Sequence, residues 1–282
     1  MQRRFTLAAT VALMLTPALH GQWPPSVSRK APRRADGKVD LAAPAPRTAL
    51  NKPDLSGVWE QYGEGDMPKF LINLAADLKP DGAPLQPWAA ALLKERQASN
   101  SKDHPGARCL PSGIPEKDAV PAPFKILQLD DLIAILYESR TIFRQIFLDG
   151  RPFPLDPVPA WQGYSLGRWE GDTLIVETRG FRGDGWLDLG GLPATDQLRV
   201  IERFTRKNFG SLSMDITVDD LKAYTKPWTI HEAAHLLADG ELIEHICEEN
   251  NRDPEHMVGN GGQIGSGDGR GPTFTPHGST AG

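Results

Sequence analysis

From about residue 124 onward the chain alternates apolar and polar positions with a period of two, which puts successive side chains on opposite faces of a strand. The clearest case is "SLSMDITVDD", where Leu212, Met214, Ile216 and Val218 alternate with Ser211, Ser213, Asp215 and Thr217. One face of that strand is buried and the other is wet. "FKILQL" and "LIAILYE" flank Asp130–Asp131 as a hairpin, and "TIFRQIFL" follows, ending at the turn "DGRPFP". "YSLGRW" and "TLIVETRGF" flank "EGD", and "QLRVIERFTR" and the strand at 211–220 flank "KNFG". Upstream, "DLSGVWEQ" reads as a first strand with an aromatic anchor. The pattern predicts an all-β fold, an antiparallel up-and-down sheet that closes into a barrel. One short N-terminal helix is expected at 87–99, "PWAAALLKERQAS", with Trp88, Ala91, Leu92 and Glu95 at helical spacing.

The ends lack such periods. "MQRR" followed by "FTLAATVALMLTPAL" reads as an export signal over residues 1–21, with Gly21 offering a small residue for cleavage. Residues 22–52 are rich in Pro, Ala and charge and read as a disordered tether, and 259–282 as a disordered Gly-rich tail. The folded part is expected to be one domain, 53–258. Composition supports this: of 282 residues, 39% are hydrophobic and 24% charged, enough for a core. The formal charge of −5 falls to −7 once Arg3 and Arg4 leave with the leader, so neither nucleic acid nor an anionic membrane surface is an expected partner. The leader's apolar run is short and broken by Pro17, so no integral membrane association is expected either. A periplasmic or secreted location follows. In an oxidising compartment Cys109 and Cys247, the two cysteines of the chain, favour a disulfide over two buried thiols.

"HEAAH" at 231–235 is a zinc-protease pattern if helical, with His231 and His235 on one face, Glu232 as general base and Glu241 as third ligand; Met257 would imitate a Met-turn. The competing reading is a hairpin about Asp239–Gly240, with His235 opposite Glu244 and His231 opposite Glu248. Strand positions four apart are separated by about 13 Å, too far to share one ion. The hairpin is the reading favoured here, and no cofactor is expected.

The stretch "IFLDGRPFPLDPVPAWQGYSLGRWEGDTLIVETRGF", with "VIERF", "ITVDDLKAYTKPWT" and "LIEHICEENNRD", resembles a large family of uncharacterised bacterial exported proteins. "DLSGVW", "QPWAAALLKERQ" and "ARCLPSGIP" extend the resemblance from about Asp54 to Met257. It implies an exported, lipocalin-like barrel and no particular reaction. Such relatives carry strand sequence without HEAAH at 228–237, and often His where this chain has Tyr164.

Candidate site residues concentrate at 149–170. Arg151, Trp161, Tyr164, Arg168 and Trp169 combine flat aromatic surface with planar cations that suit a ligand at a barrel mouth, or else brace the barrel. Asp219, Asp220, Tyr224 and Trp228 read as a loop that closes over one end, or, for Asp219–Asp220 and as the favoured reading, as solvated turn residues. Glu202 shares the inward face with Leu198, Val200 and Phe204, where a carboxylate needs a partner such as Arg151 or Arg168, or a raised pKa. There is no G-x-S-x-G, P-loop, opening G-x-G-x-x-G or C-x-x-C. The leading expectation is a barrel that binds a small apolar or amphipathic molecule in its interior. The alternatives are an isomerase, lyase or hydrolase using Glu202, and the HEAAH zinc hydrolase.

Overall fold

The computed structural model describes residues 31–61 and 69–249. The expected export signal, the Gly-rich tail and Met257 lie outside the described residues. Nine strands form one closed barrel in sequence order: β1 (Gly57–Gln61), β2 (Phe124–Gln128), β3 (Leu132–Tyr137), β4 (Ile142–Phe147), β5 (Tyr164–Glu170), β6 (Thr173–Arg179), β7 (Arg199–Asn208), β8 (Ser211–Asp219) and β9 (Trp228–Leu236). β9 pairs with β1, Trp59 opposite Leu236, and this closes the ring. The alternation foreseen for Ser211–Asp219 holds position by position.

The barrel is not purely antiparallel. β4 and β5 run parallel, with Ile146 beside Ser165 and Phe147 beside Leu166. The cause lies in "GRPFPLDPVPAW": the prolines lack the N–H that a returning strand would donate, so residues 148–163 cross the barrel wall before pairing resumes. Nine strands with a parallel pair also depart from the eight-stranded up-and-down lipocalin pattern.

Helical content exceeds the single expected helix. α1 (Lys69–Ile72) and α3 (Glu116–Ala119) flank α2 (Pro87–Ala98). α2 begins at Pro87, where a missing N–H costs nothing. Its buried contact is Ala89, with Leu93 partly buried against the core, whereas Trp88 remains exposed and donates to the Lys222 carbonyl at 2.8 Å. No described helix is long and apolar enough to cross a membrane.

Following the strands shows that the two ends of the barrel differ. Tight turns at 129–131, 171–172 and 209–210 sit at one end, and the long connections 69–123, 180–198 and 220–227 gather at the other. The tight end is covered by the segment from Ala31. Its turns are internally hydrogen-bonded, Phe209 N donates to Ala43 O at 2.7 Å and Gly210 N to Leu41 O at 2.8 Å. Residues 31–52, expected as part of a tether, therefore follow a fixed course against the barrel. Arg206 seals this end, lying over the Trp59 ring and donating to the Asp54 and Phe209 carbonyls.

The expected hairpin about Asp239–Gly240 does not form a further strand, because β8 and β1 already occupy both edges of β9. The chain instead climbs back along the outside to the end that carries the long connections. There Cys247 is bonded to Cys109, with Cα atoms 5.5 Å apart. This bond spans 138 residues, and the chain-entropy estimate for closing such a loop is about 5 kcal/mol. Replacing both cysteines by serine should therefore lower the unfolding free energy by about 2–5 kcal/mol, read from urea midpoints. An unchanged midpoint would show that the C-terminal segment adds no constraint.

Candidate functional site

The barrel interior is filled by side chains, most of them apolar: Trp59, Ile126, Ile133, Ile135, Ile146, Leu174 and Phe204 are all essentially without solvent contact. Inward positions at mid-height carry the exceptions. On β4 the alternation that buries Ile146 also buries Arg144, at 2% exposure, and on β7 it buries Glu202 at 0%. The two form a two-pronged ion pair, Arg144 Nη1 donating to Glu202 Oε1 at 2.8 Å while Nη2 donates to Oε2. Arg144 also donates from Nε to Ser165 Oγ at 3.0 Å and from Nη2 to Thr178 Oγ1 at 2.8 Å. Burial opposes charge on Arg144, but the charge and hydrogen bonds of Glu202 outweigh it and raise its pKa. The inward position foreseen for Glu202 is correct, and its partner is neither Arg151 nor Arg168.

Two more carboxyls reach this interior. α3 inserts Asp118, whose Oδ1 accepts from the Tyr137 hydroxyl at 3.0 Å. Glu232, the central acid of HEAAH, points inward from β9 between Ile230 and Ala234, and accepts from the Gln61 amide. Asp118 Oδ2 and Glu232 Oε1 are buried without a hydrogen-bond partner. Burial, and then the charge of Glu202, push Asp118 up to about 8. Glu232 is raised well above the usual carboxylate range by burial and then by Asp118. The Arg144 guanidinium thus faces Glu202 and Asp118; Asp118 holds its proton at neutral pH, and burial favours the protonated form of Glu232 as well.

The HEAAH histidines do not converge. On a strand they face outward while Glu232 faces inward, so the three cannot cooperate at one ion. His231 Nδ1 lies 2.7 Å from Asp215 Oδ1, and His235 Nε2 lies 3.4 Å from Glu60 Oε2. Glu241, the supposed third ligand, accepts from Lys125 Nζ at 3.1 Å. No group of three or more His, Cys, Asp and Glu among the described residues is placed to hold a metal ion.

Of the residues of 149–170, Arg151 and Tyr164 come together at the surface while the others part company. Arg151 is exposed and bound to Asp149, its guanidinium over Phe147; Tyr164 stacks on that same ring at 5.2 Å. Trp161 lies under Arg182, Arg168 pairs with Glu170, and Trp169 packs against the core with Lys52 above it. At the far end Asp220 accepts from Thr195, Tyr224 donates to the Pro193 carbonyl at 2.8 Å, and Trp228 is buried edge-on to Tyr224. The Asp220–Thr195 and Tyr224–Pro193 contacts tie the 220–227 and 180–198 connections together.

The open concavity lies elsewhere, outside the barrel wall and among the long connections. A cleft of about 1020 Å³ is lined by parts of the stretches 72–85, 100–107 and 188–192, by Leu93 and Gln97 of α2, and by Arg140. Its walls are apolar at Ile72, Leu85, Leu93, Leu189 and Leu192, with polar groups from Asn73, Gln97, His104 and Arg140. Its floor is fixed by two buried anchors. Asp188 accepts from the backbone N–H of Leu74, Gly191 and Leu192 at 2.8–3.0 Å, while burial lifts it to about 6. His104 accepts at Nδ1 from Gly106 N, so its Nε2–H faces Glu116 Oε2 at 3.0 Å. Ser112 donates to Glu116 Oε1 at 2.7 Å and accepts from Arg140 Nη1 at 2.7 Å.

No family model matches the chain, and no curated protein matches it.

Of these residues, Arg144 and Glu232 could have been found by carrying strand alternation through "TIFRQIF" and "TIHEAAHL". Asp118, Asp188, His104 and Arg140 sit in connections with no period, and nothing in the sequence marked them.

Arg144→Met should cost about 3–5 kcal/mol in urea denaturation, because it strands Glu202 as a buried charge. Adding Glu202→Leu should recover most of that loss; a double variant as unstable as the single one would show that the pair is not the reason. For Asp118 the ordinary pKa of 3.8 rises to about 8 in the folded protein. Between those values the native state holds a proton that the unfolded chain releases, so stability falls as pH rises through the window and levels off above it. Asp118→Asn keeps the acceptor for Tyr137, so it should gain stability relative to wild type from about pH 4 to pH 8. Parallel pH profiles for the two proteins would rule this titration out.

Proposed function

We propose that the protein is an exported barrel that binds a small amphipathic molecule, and that the ligand lies in the external cleft rather than inside the barrel. The observation that carries this is the cleft itself. At about 1020 Å³, with apolar walls and a few convergent polar groups, it matches the size and chemistry of small-molecule sites. The filled interior argues in the same direction, since a ligand there would have to displace Trp59, Phe204 or the Arg144–Glu202 pair. Export is supported by the leader-like N-terminus and by the disulfide, which persists in an oxidising compartment. Membership of the exported family whose motifs the chain resembles would fit the same reading. An enzymatic role for Glu202 has less support, because both of its oxygens are engaged by Arg144.

Gln97 is exposed on α2 and faces the cleft, so Gln97→Trp should fill the space without touching the core. In native mass spectra recorded after incubation with a panel of amphipathic small molecules, wild type should carry an organic adduct that Gln97→Trp lacks. An adduct equally abundant on both proteins would place the ligand elsewhere.

A further inference from the structure

The cleft contains one side chain whose placement its packing does not explain. Arg140 is the one lysine or arginine among the described lining residues, and it is only partly buried. One prong, Nη1, is held by Ser112 Oγ at 2.7 Å, and among the described residues no carboxylate is ion-paired with it. Glu116, the acid nearest in the network, has its two oxygens engaged by Ser112 and His104. Burial lowers the pKa of Arg140, and the nearby charge of Glu116 offsets this only in part.

Its backbone is unusual too. Arg140 has φ of 66° and Thr141 φ of 48°, two consecutive residues in the left-handed region that side chains other than glycine rarely adopt. The C-terminal segment imposes this conformation. Arg140 N donates to His245 Nδ1 at 2.9 Å, and Thr141 Oγ1 donates to the His245 carbonyl at 3.0 Å. Two residues on, Cys247 ties the segment to Cys109, next to the 100–107 wall of the cleft. Strained backbone persists where surrounding structure over-determines it, and such positions cluster at ligand clamps.

We propose that Arg140 is the anchor for the carboxylate head of an amphipathic ligand whose apolar body lies along Leu85, Leu93, Leu189 and Leu192. This rests on the reading of the cleft as the ligand seat. A planar guanidinium with free donors matches a carboxylate, and partial burial strengthens the contact. A single negative charge is specified, because Asp81 and Asp188 also line the cleft and would repel a second.

The test uses isothermal titration of the full mature protein with decanoate and with decan-1-ol, which share a tail and differ in the head. Wild type should bind decanoate more tightly than the alcohol. Arg140→Gln, which retains a donor for Ser112, should lose decanoate affinity by roughly 10- to 100-fold and leave the alcohol unchanged. Arg140→Gly relieves the left-handed backbone, so it guards against a folding defect, and it should show the same selective loss. Alcohol binding reports that each variant's cleft is intact. If both ligands weaken equally in both variants, or neither weakens, Arg140 is not the anchor, although the cleft stands as the seat. If wild type binds neither ligand, the cleft reading fails and the anchor fails with it.

Discussion

A guanidinium sealed in an apolar barrel is tolerable only if every prong is answered, and the middle of this fold is arranged around that requirement. Arg144 draws on three other strands: Ser165 from β5, Thr178 from β6 and Glu202 from β7. Each of these must project inward at the same height, which fixes the register of β5, β6 and β7 relative to β4. The parallel step between β4 and β5 is the weakest link in the ring, paired at only Ile146–Ser165 and Phe147–Leu166. The Arg144–Ser165 contact braces that junction from inside. A hydrophobic isostere could fill the same volume, but it would leave this junction free to slip by a residue.

Polarity in the protein is divided between two places with different tasks. The interior acids are answered within the wall or are pushed by burial toward their protonated form, so the core is polar in composition. The external cleft is formed by chain that has no part in the sheet. Its floor is held by Asp188 and the His104–Glu116–Ser112 network, and α2 leans over it through Ala89 and Leu93. The sheet thus serves as a rigid frame, and the connections at one end carry the adaptable surface. Connections positioned by a rigid scaffold are where binding residues are most often found.

What could be read from the chain follows from this division. Most strands have a two-residue period, so the nine were legible, together with a tenth expected after Asp239–Gly240 that does not form, and so was the inward turn of Glu202. The same rule, applied to "TIFRQIF", places Arg144 beside Ile142 and Ile146, and applied to "TIHEAAHL" it puts Glu232 inside with the histidines outside. The parallel step was hidden because alternation is blind to strand direction. The cleft was hidden for a deeper reason. Its residues come from three separate connections, and what unites Asn73, His104, Arg140 and Asp188 is topology, which puts those connections at one end. The tryptophans and arginines of 149–170 stood out by residue type, yet the fold does not gather them at one site.

The ring closes between its first and last strands, Trp59 meeting Leu236. A ribosome emitting this chain from the N-terminus therefore releases β1 long before any strand exists to cover its second edge. Until β9 is made the sheet is an open ribbon with two bare flanks, the kind of edge that recruits neighbouring chains. No nascent or truncated form lacking β9 can be a smaller version of the barrel. Its solubility depends on synthesis running to the end, or on something holding the ribbon apart from its neighbours until it does.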